Sequence, residues 1–429
     1  MRNFWRDKSG NFGILSALLI VPLFGAAGVA LDVADAMSVK EEIQRAADSA
    51  VLAAVADLSA SVQAAKSMQS DGAISVGETE ARAFFDANAA QSMAYKINAV
   101  DISVTKKGNV VESTLSFKAT INTTLSKVLG KDILTVGGYA SARYETETFS
   151  DFYLLLDNTP SMGVGATPAD VSKLVANTSD KCAFACHIVK DGVADKNSYY
   201  YKAKSLGVTT RINVVAKATA SLMDTAMSTR KNSNQYRMSV YTFGEKAEDT
   251  KLLEVVPLTS DLTSAKKKAG EIDLMSIPYQ GYNNDQQTDF DRALTQISDK
   301  IGKPGNGSSS ASPDKVVFFV SDGVGDSYKP STCTKKTTGG RCQEPIDIKL
   351  CTKLKEKGFR IAVLYTTYLP LPTNSWYNSW IKPFQSEIST RMQDCASPGL
   401  FFEVSPTEGI SEAMSALFRR VITSPRLTG

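Results

Sequence analysis

The chain has 429 residues, 43% hydrophobic and 22% charged, a globular composition long enough for two or three domains and unlike that of a disordered chain. Its 48 basic and 45 acidic side chains leave a net charge of +3, without the basic excess of a dedicated nucleic-acid binder. A single histidine, His187, excludes multi-histidine metal sites, and six cysteines, all beyond residue 181, make an even set suited to disulfides if they reach an oxidising compartment.

Between Lys8 and Asp32 run 23 consecutive uncharged residues, with Phe12, Leu18, Leu19, Ile20, Leu23 and Leu31 as apolar anchors. At about 1.5 Å per residue this stretch spans roughly 35 Å as a helix, enough for a bilayer core of about 30 Å. Pro22 and Gly25 are tolerable in a membrane helix. Arg2, Arg6 and Lys8 precede the span, so the positive-inside rule keeps residues 1–11 cytoplasmic, makes 12–31 the transmembrane helix and exports the rest. A cleaved signal peptide is the alternative, with small-x-small sites at Gly28-Val29-Ala30 and Ala34-Asp35-Ala36, but its apolar core is normally about 7–15 residues. Residues 32–61 continue as a helix, with Ile43, Ala46, Ala47, Ala50, Val51, Ala54 and Leu58 on one stripe. That stripe suits packing on its own domain or in an assembly equally well.

The segment combines Gly10 after a charged cluster, the apolar span, Asp32 just past it and the run Ile43-Gln44-Arg45-Ala46-Ala47-Asp48-Ser49-Ala50. Over roughly the first 60 residues it resembles the TadE/TadG-like proteins of tight-adherence (Flp-type) pilus systems. Members processed as prepilins carry Glu five residues after the cleavage glycine. Here that position is Leu15, which implies no such processing.

Residues 62–150 read as a small exported α+β segment. A helix is expected over 78–90, with Ala81, Phe84, Phe85 and Ala89 on one face, followed by two to four alternating strands within 97–144. Residues 151–429 change character. Apolar runs at 152–156, 238–243, 316–320 and 361–365 read as strands buried on both faces. Helical patterns lie near 210–230, 262–274, 289–300, 346–357 and 408–422. Alternating strands and helices predict an α/β fold with a doubly wound, mostly parallel sheet. The polar stretches 163–208 and 325–345 read as insertions and long loops.

Ligands of open parallel sheets bind at the carboxyl ends of the strands. Three polar clusters fall there: Asp157-Asn158-Thr159-Pro160-Ser161, Thr288, and Asp322 in "VVFFVSDG". Hydroxyl and carboxylate oxygens suit a hard divalent cation. The set Asp157, Thr159, Ser161, Thr288 and Asp322 resembles the metal-ion-dependent adhesion site of von Willebrand factor A domains, with Thr159 in place of the first serine and Pro160 where a small residue is usual. The resemblance implies Thr159, Ser161 and Thr288 as direct ligands of Mg2+ (or Mn2+ or Ca2+), with Asp157 and Asp322 acting through water. It also implies a partner's acidic group at an open coordination position. Asp285, Asp289 and Asp291 around Thr288 read as solvated loop acids.

Cys182-Ala-Phe-Ala-Cys186-His187 is one residue longer than the C-x-x-C-H haem signature. A haem-bearing envelope redox protein is therefore the alternative to a Cys182–Cys186 loop disulfide. Cys333–Cys342 and Cys351–Cys395 are the other pairings chosen among fifteen connectivities. Trp376, Tyr377 and Trp380 form either a contact patch or part of the core. A metal-dependent hydrolase is disfavoured because no Gly-x-Ser-x-Gly, phosphate loop or convergent base is present. The expected protein is not an enzyme. It is anchored once in the bacterial inner membrane, with its bulk periplasmic or cell-surface, and engages pilus-assembly or other envelope proteins through the A domain. Self-association is left open.

Overall fold

The computed structural model describes residues 10–68, 70–89, 95–249, 251–282, 287–405, 407 and 409–423, and its contacts divide the chain into Met1–Thr146 and Glu147–Gly429. In the first unit one helix, α1 (Gly10–Ala54), carries the apolar stretch and its extension as far as Ala54 without a break, Pro22 included, whereas the expected extension ran to residue 61. It is the one helix among the described residues long and apolar enough to cross a membrane, and Leu18, Leu19, Ile20, Leu23 and Leu31 stand exposed on it, as lipid-facing side chains do. Arg2, Arg6 and Lys8 and the side chain of Phe12 lie outside the described residues.

After α1 come α2 (Ala60–Ser67), β1 (Gly72–Ala73), α3 (Ser75–Asn88), and the long strands β2 (Tyr95–Lys107), β3 (Val110–Asn122) and β4 (Ile133–Glu145). The strands form an antiparallel sheet in the order β1-β2-β3-β4, and β3 alternates buried and half-buried side chains along its length. Ile43, Ala46, Ala47 and Ala50 of α1 bury against Leu115, Phe117 and Ala119 of β3, Ala140 of β4 and Phe85 of α3. The alanine stripe thus packs on its own unit, where small side chains let the helix lie close to the sheet. Two expectations fail. Leu58 is 86% exposed, because α1 stops at Ala54 and Ser59 caps the next helix, accepting from Val62 N at 3.2 Å. In α3 the buried positions are Gly77, Ala81 and Phe85, spaced by four, so Phe84 points outward.

The second unit is built on β5 (Ser150–Leu156), β8 (Tyr236–Thr242), β9 (Leu253–Thr259), β11 (Asp314–Ser321), β15 (Arg360–Thr366) and β16 (Phe401–Val404). Their order in the sheet is β16-β15-β11-β5-β8-β9, parallel except for β9. Alternate residues feed opposite faces. Leu155, Val317, Phe319 and Val363 meet α8 (Phe290–Ile301), α9 (Lys349–Glu356) and α10 (Gln385–Cys395). Phe152, Leu154, Phe318 and Leu364 meet α6 (Arg211–Thr229), α7 (Leu262–Ala269) and α11 (Ile410–Thr423). This is the expected doubly wound α/β sheet. The chain winds away in both directions from β5 and β11, so the crevice at their carboxyl ends is the topological switch point.

The two stretches read as long loops are folded. Residues 163–208 contain α4 (Pro168–Ala176), the strands β6 (His187–Lys190) and β7 (Val193–Ala194), and α5 (Tyr199–Ser205). β6 pairs in parallel with the short β10 (Ser276–Ile277). Residues 325–345 form most of a small antiparallel sheet of β12 (Val324–Tyr328), β13 (Thr337–Thr338) and β14 (Arg341–Pro345). Polar composition signalled loops in both stretches, but 163–208 buries a small core of Leu174, Ala185, Ala203 and Val208 and pairs through β6 with β10, while 325–345 is held by the Cys333–Cys342 disulfide and its pairing with Thr288.

Candidate metal site at the switch point

All five expected residues meet at the carboxyl ends of β5 and β11. Asp157 N donates to Val320 O at 2.9 Å and so extends the ladder by one residue. The chain then turns. Thr159 N and Thr159 Oγ1 donate to Asp157 Oδ1 at 3.0 and 2.7 Å, an Asx turn, and Pro160 opens a 3-10 turn over Pro160–Gly163 where its fixed φ suits the first position. The proline therefore fits the loop.

Thr288 comes from the segment before α8. Its backbone exchanges hydrogen bonds of 2.9 Å in both directions with Asp326 on β12. Asp326 is in turn held by Arg341 Nε at 2.8 Å and Gln343 Nε2 at 2.8 Å. The 325–345 segment thus positions the third hydroxyl, a role that its sequence did not announce.

Thr159 Oγ1 lies 2.7 Å from Thr288 Oγ1 and 3.5 Å from Ser161 Oγ. Metal–oxygen bonds of about 2.0–2.1 Å place neighbouring oxygens of an octahedron roughly 3 Å apart, so these spacings fit a magnesium-sized ion. Asp157 Oδ2 accepts from Ser321 Oγ at 2.7 Å, and Asp322 Oδ1 accepts from Val324 N at 3.3 Å. Gly323, at φ +74, is required by the Asp322 turn, since a Cβ there would come within 2.5 Å of Ile388.

A residue that the sequence reading missed completes the cluster. Arg211 Nη1 donates to Asp322 Oδ2 at 2.9 Å, with both side chains fully buried. Arg211 begins α6, where a cation opposes the helix dipole, and nothing in its neighbourhood marks it in the sequence. The insertion ends set its position: Arg211 N donates to Val164 O at 3.0 Å and Ala166 N to Thr209 O at 2.8 Å, so 165–210 is closed at its neck. Burial raises the pKa of both acids. The charge of Asp322 adds to the rise at Asp157, whereas Arg211 opposes the rise at Asp322. With both acids ionised, Arg211 balances one of them and leaves a single negative charge at a set of hydroxyl and carboxylate oxygens. That donor chemistry fits a hard cation.

Above the hydroxyls lies a cavity of about 390 Å³ whose wall includes Ser161, Thr288, Phe184, Tyr368, Trp376 and Tyr377. Trp376 stacks on Trp380 at 5.2 Å and lies beneath the Arg341 guanidinium at 4.2 Å, while Tyr377 is buried. The aromatic cluster is thus part cavity wall and part core.

The nearby acids have structural duties. Asp289 caps α8 by accepting from Arg292 N at 3.0 Å, and Asp291 pairs with Lys329 at 2.6 Å; Asp285 lies outside the described residues. The bridges Cys333–Cys342 and Cys351–Cys395 are formed. Cys333 and Cys342 lie near Glu344, but a disulfide has no thiolate to offer a metal, and Glu344 is held by Lys329 and Thr334. Cys182 Sγ accepts from Phe184 N at 3.4 Å, and Cys186 is buried. His187 stacks on Tyr200 at 4.0 Å, with Nδ1 3.2 Å from Leu274 O, so the lone histidine is built into the packing of the insertion.

Residues 10–57 match the family model described as putative Flp pilus-assembly TadE/G-like. No curated protein matches the chain. Among solved structures, the chain is similar to the vWF domain of the type V pili tip protein Mfa5 from Porphyromonas gingivalis, at 9% identity over 66% of this chain and 99% of that one, with a TM-score of 0.37. The pilus adhesin SpaC from Lactobacillus rhamnosus GG is similar at 10% identity over 77% of this chain and 34% of that one, TM-score 0.38. A von Willebrand factor type A protein from Catenulispora acidiphila is similar at 11% identity over 77% and 51%, TM-score 0.30. The doubly wound fold stands on its own strand order, and the N-terminal residues 10–57 are a TadE/G-like segment.

Proposed function

We propose that this is a pilus-assembly or adhesion protein held in the bacterial inner membrane by α1, with residues 1–11 cytoplasmic and the remainder periplasmic or at the cell surface. In this reading the helical extension (32–61) and α+β segment (62–150) carry an A domain (151–429). That domain binds Mg2+, or Mn2+ or Ca2+, through Thr159, Ser161 and Thr288, with Asp157 and Asp322 in support. An acidic group of a protein partner enters the aromatic-walled cavity and reaches the cation. A cation there would supply electrophilic attraction for a carboxylate. The chain's own residues orient the hydroxyls, neutralise Asp322 and wall off water. Cys182 and Cys186 pair as a third bridge in the oxidising compartment.

The observation that supports this reading most is the convergence of three hydroxyls from two distant segments, with Thr159 and Thr288 only 2.7 Å apart. A thermal-shift experiment on the full chain in detergent tests it. Mg2+ or Mn2+ is expected to raise the melting temperature of the wild type and leave the double variant Asp157→Ala/Ser161→Ala unmoved. Equal shifts in the two proteins would overturn the metal site.

A further inference from the structure

The turn between β3 and β4, residues 123–132, lies against α1 inside its apolar stretch. Leu125 packs so closely on Gly28 that a Cβ there would stand 2.8 Å from its own, and Leu129 lies 3.8 Å from the corresponding point on Gly25. Gly25 precedes Asp32 by seven residues, so Leu129 sits about 10 Å further along the helix axis towards the bilayer centre. The turn and the first residue of β4 expose an apolar tip: Val128 is 88% exposed, Leu129 58%, Ile133 53% and Leu125 44%.

Many of the turn's backbone donors are satisfied internally, which lowers the cost of bringing it against an apolar medium. Asp32, itself buried, accepts from Thr124 N at 2.9 Å, Leu125 N at 3.0 Å and Ser126 N at 2.5 Å. Val128 N, Gly130 N and Lys131 N donate to Leu125 O, Lys127 O and Ser126 O at 3.2, 2.9 and 3.1 Å. The exposed Lys127 and Lys131 flank the tip, with Asp132 beside them, so the net charge next to the apolar residues is positive.

We propose that this turn dips into the membrane surface beside α1, as a second lipid-contacting element of the anchor that fixes the depth and rotation of the helix. The occupant of the apolar tip is lipid. The tip is continuous with the lipid-facing side of α1, and its lysines match the phosphates of anionic headgroups.

Tryptophan quenching in vesicles tests this with the full chain. Val128→Trp and, as control, Lys107→Trp are compared with the wild type in phosphatidylcholine–phosphatidylglycerol vesicles whose acyl chains are brominated. Lys107 is exposed at the far end of the β2–β3 hairpin, about 40 Å along β3 from the tip. The added fluorescence at 128 should shift to the blue and be quenched several-fold more by brominated lipid than that at 107, and should resist aqueous iodide. Iodide quenching of both equally would overturn the proposal. Shielding of position 128 from both quenchers would also overturn it, by showing protein over the tip.

Discussion

Arg211 and Asp322 form an ion pair of 2.9 Å in which neither side chain touches solvent. Arg211 Nε and Nη2 find no further hydrogen-bond partner among the described residues, so the carboxylate is the guanidinium's main compensation, together with the Tyr368 ring 4.9 Å away. Removing one partner of such a pair leaves a buried charge, and Arg211→Met is expected to cost about 3–5 kcal/mol in urea unfolding without added metal. The same change takes a positive charge from the proposed cation site, so Mg2+ should stabilise Arg211→Met more than the wild type. A smaller metal shift in the variant would mean that Arg211 supports the cation rather than competing with it.

Asp157 gives the site a pH dependence. Its pKa is raised in the folded protein, chiefly by burial, so between the unfolded value near 3.8 and the higher folded value the native state holds more protons than the unfolded one. Its contribution is therefore favourable at low pH and is lost as pH rises through that window. In chelator, denaturant melts at pH 4.5 and 7 should show this loss, Asp157→Asn should reduce it, and added Mg2+ should restore stability at the upper end.

Thr288 separates hydroxyl from shape. Thr288→Ser keeps the oxygen and Thr288→Val keeps the volume. Ligand binding stabilises by about 2.7 kcal/mol at one hundred times its Kd. The valine variant is expected to lose most of that increment, the serine variant little, in melts with and without Mg2+.

The two formed bridges close loops of different length, with sequence separations of 44 for Cys351–Cys395 and 9 for Cys333–Cys342. Chain-entropy estimates run from about 3 kcal/mol for a 15-residue loop to about 4.7 for 100 residues. Paired serine substitution should cost about 4 kcal/mol at the longer bridge and less than about 3 at the shorter. Non-reducing peptide mass spectrometry checks all pairings, with a Cys182–Cys186 peptide as the expected third product.

The sequence by itself determined the features that local pattern encodes. The uncharged stretch that ends at Leu31 is, from Gly10 onward, a membrane-length helix because its hydropathy and about 1.5 Å rise leave few other solutions. Apolar runs such as Phe152–Leu156 became fully buried strands because no polar face offers an alternative. Asp157, Thr159, Ser161 and Asp322 were legible because they directly follow such strands. Tertiary structure decided what distant residues do to one another. Arg211 enters the site from beyond a folded insertion, Asp326 and Arg341 hold Thr288 in place, and Asp32 caps a turn more than ninety residues away. Each acts through a hydrogen bond or ion pair set by chain crossing, and a single polar residue in a polar stretch carries no periodicity that would reveal its partner.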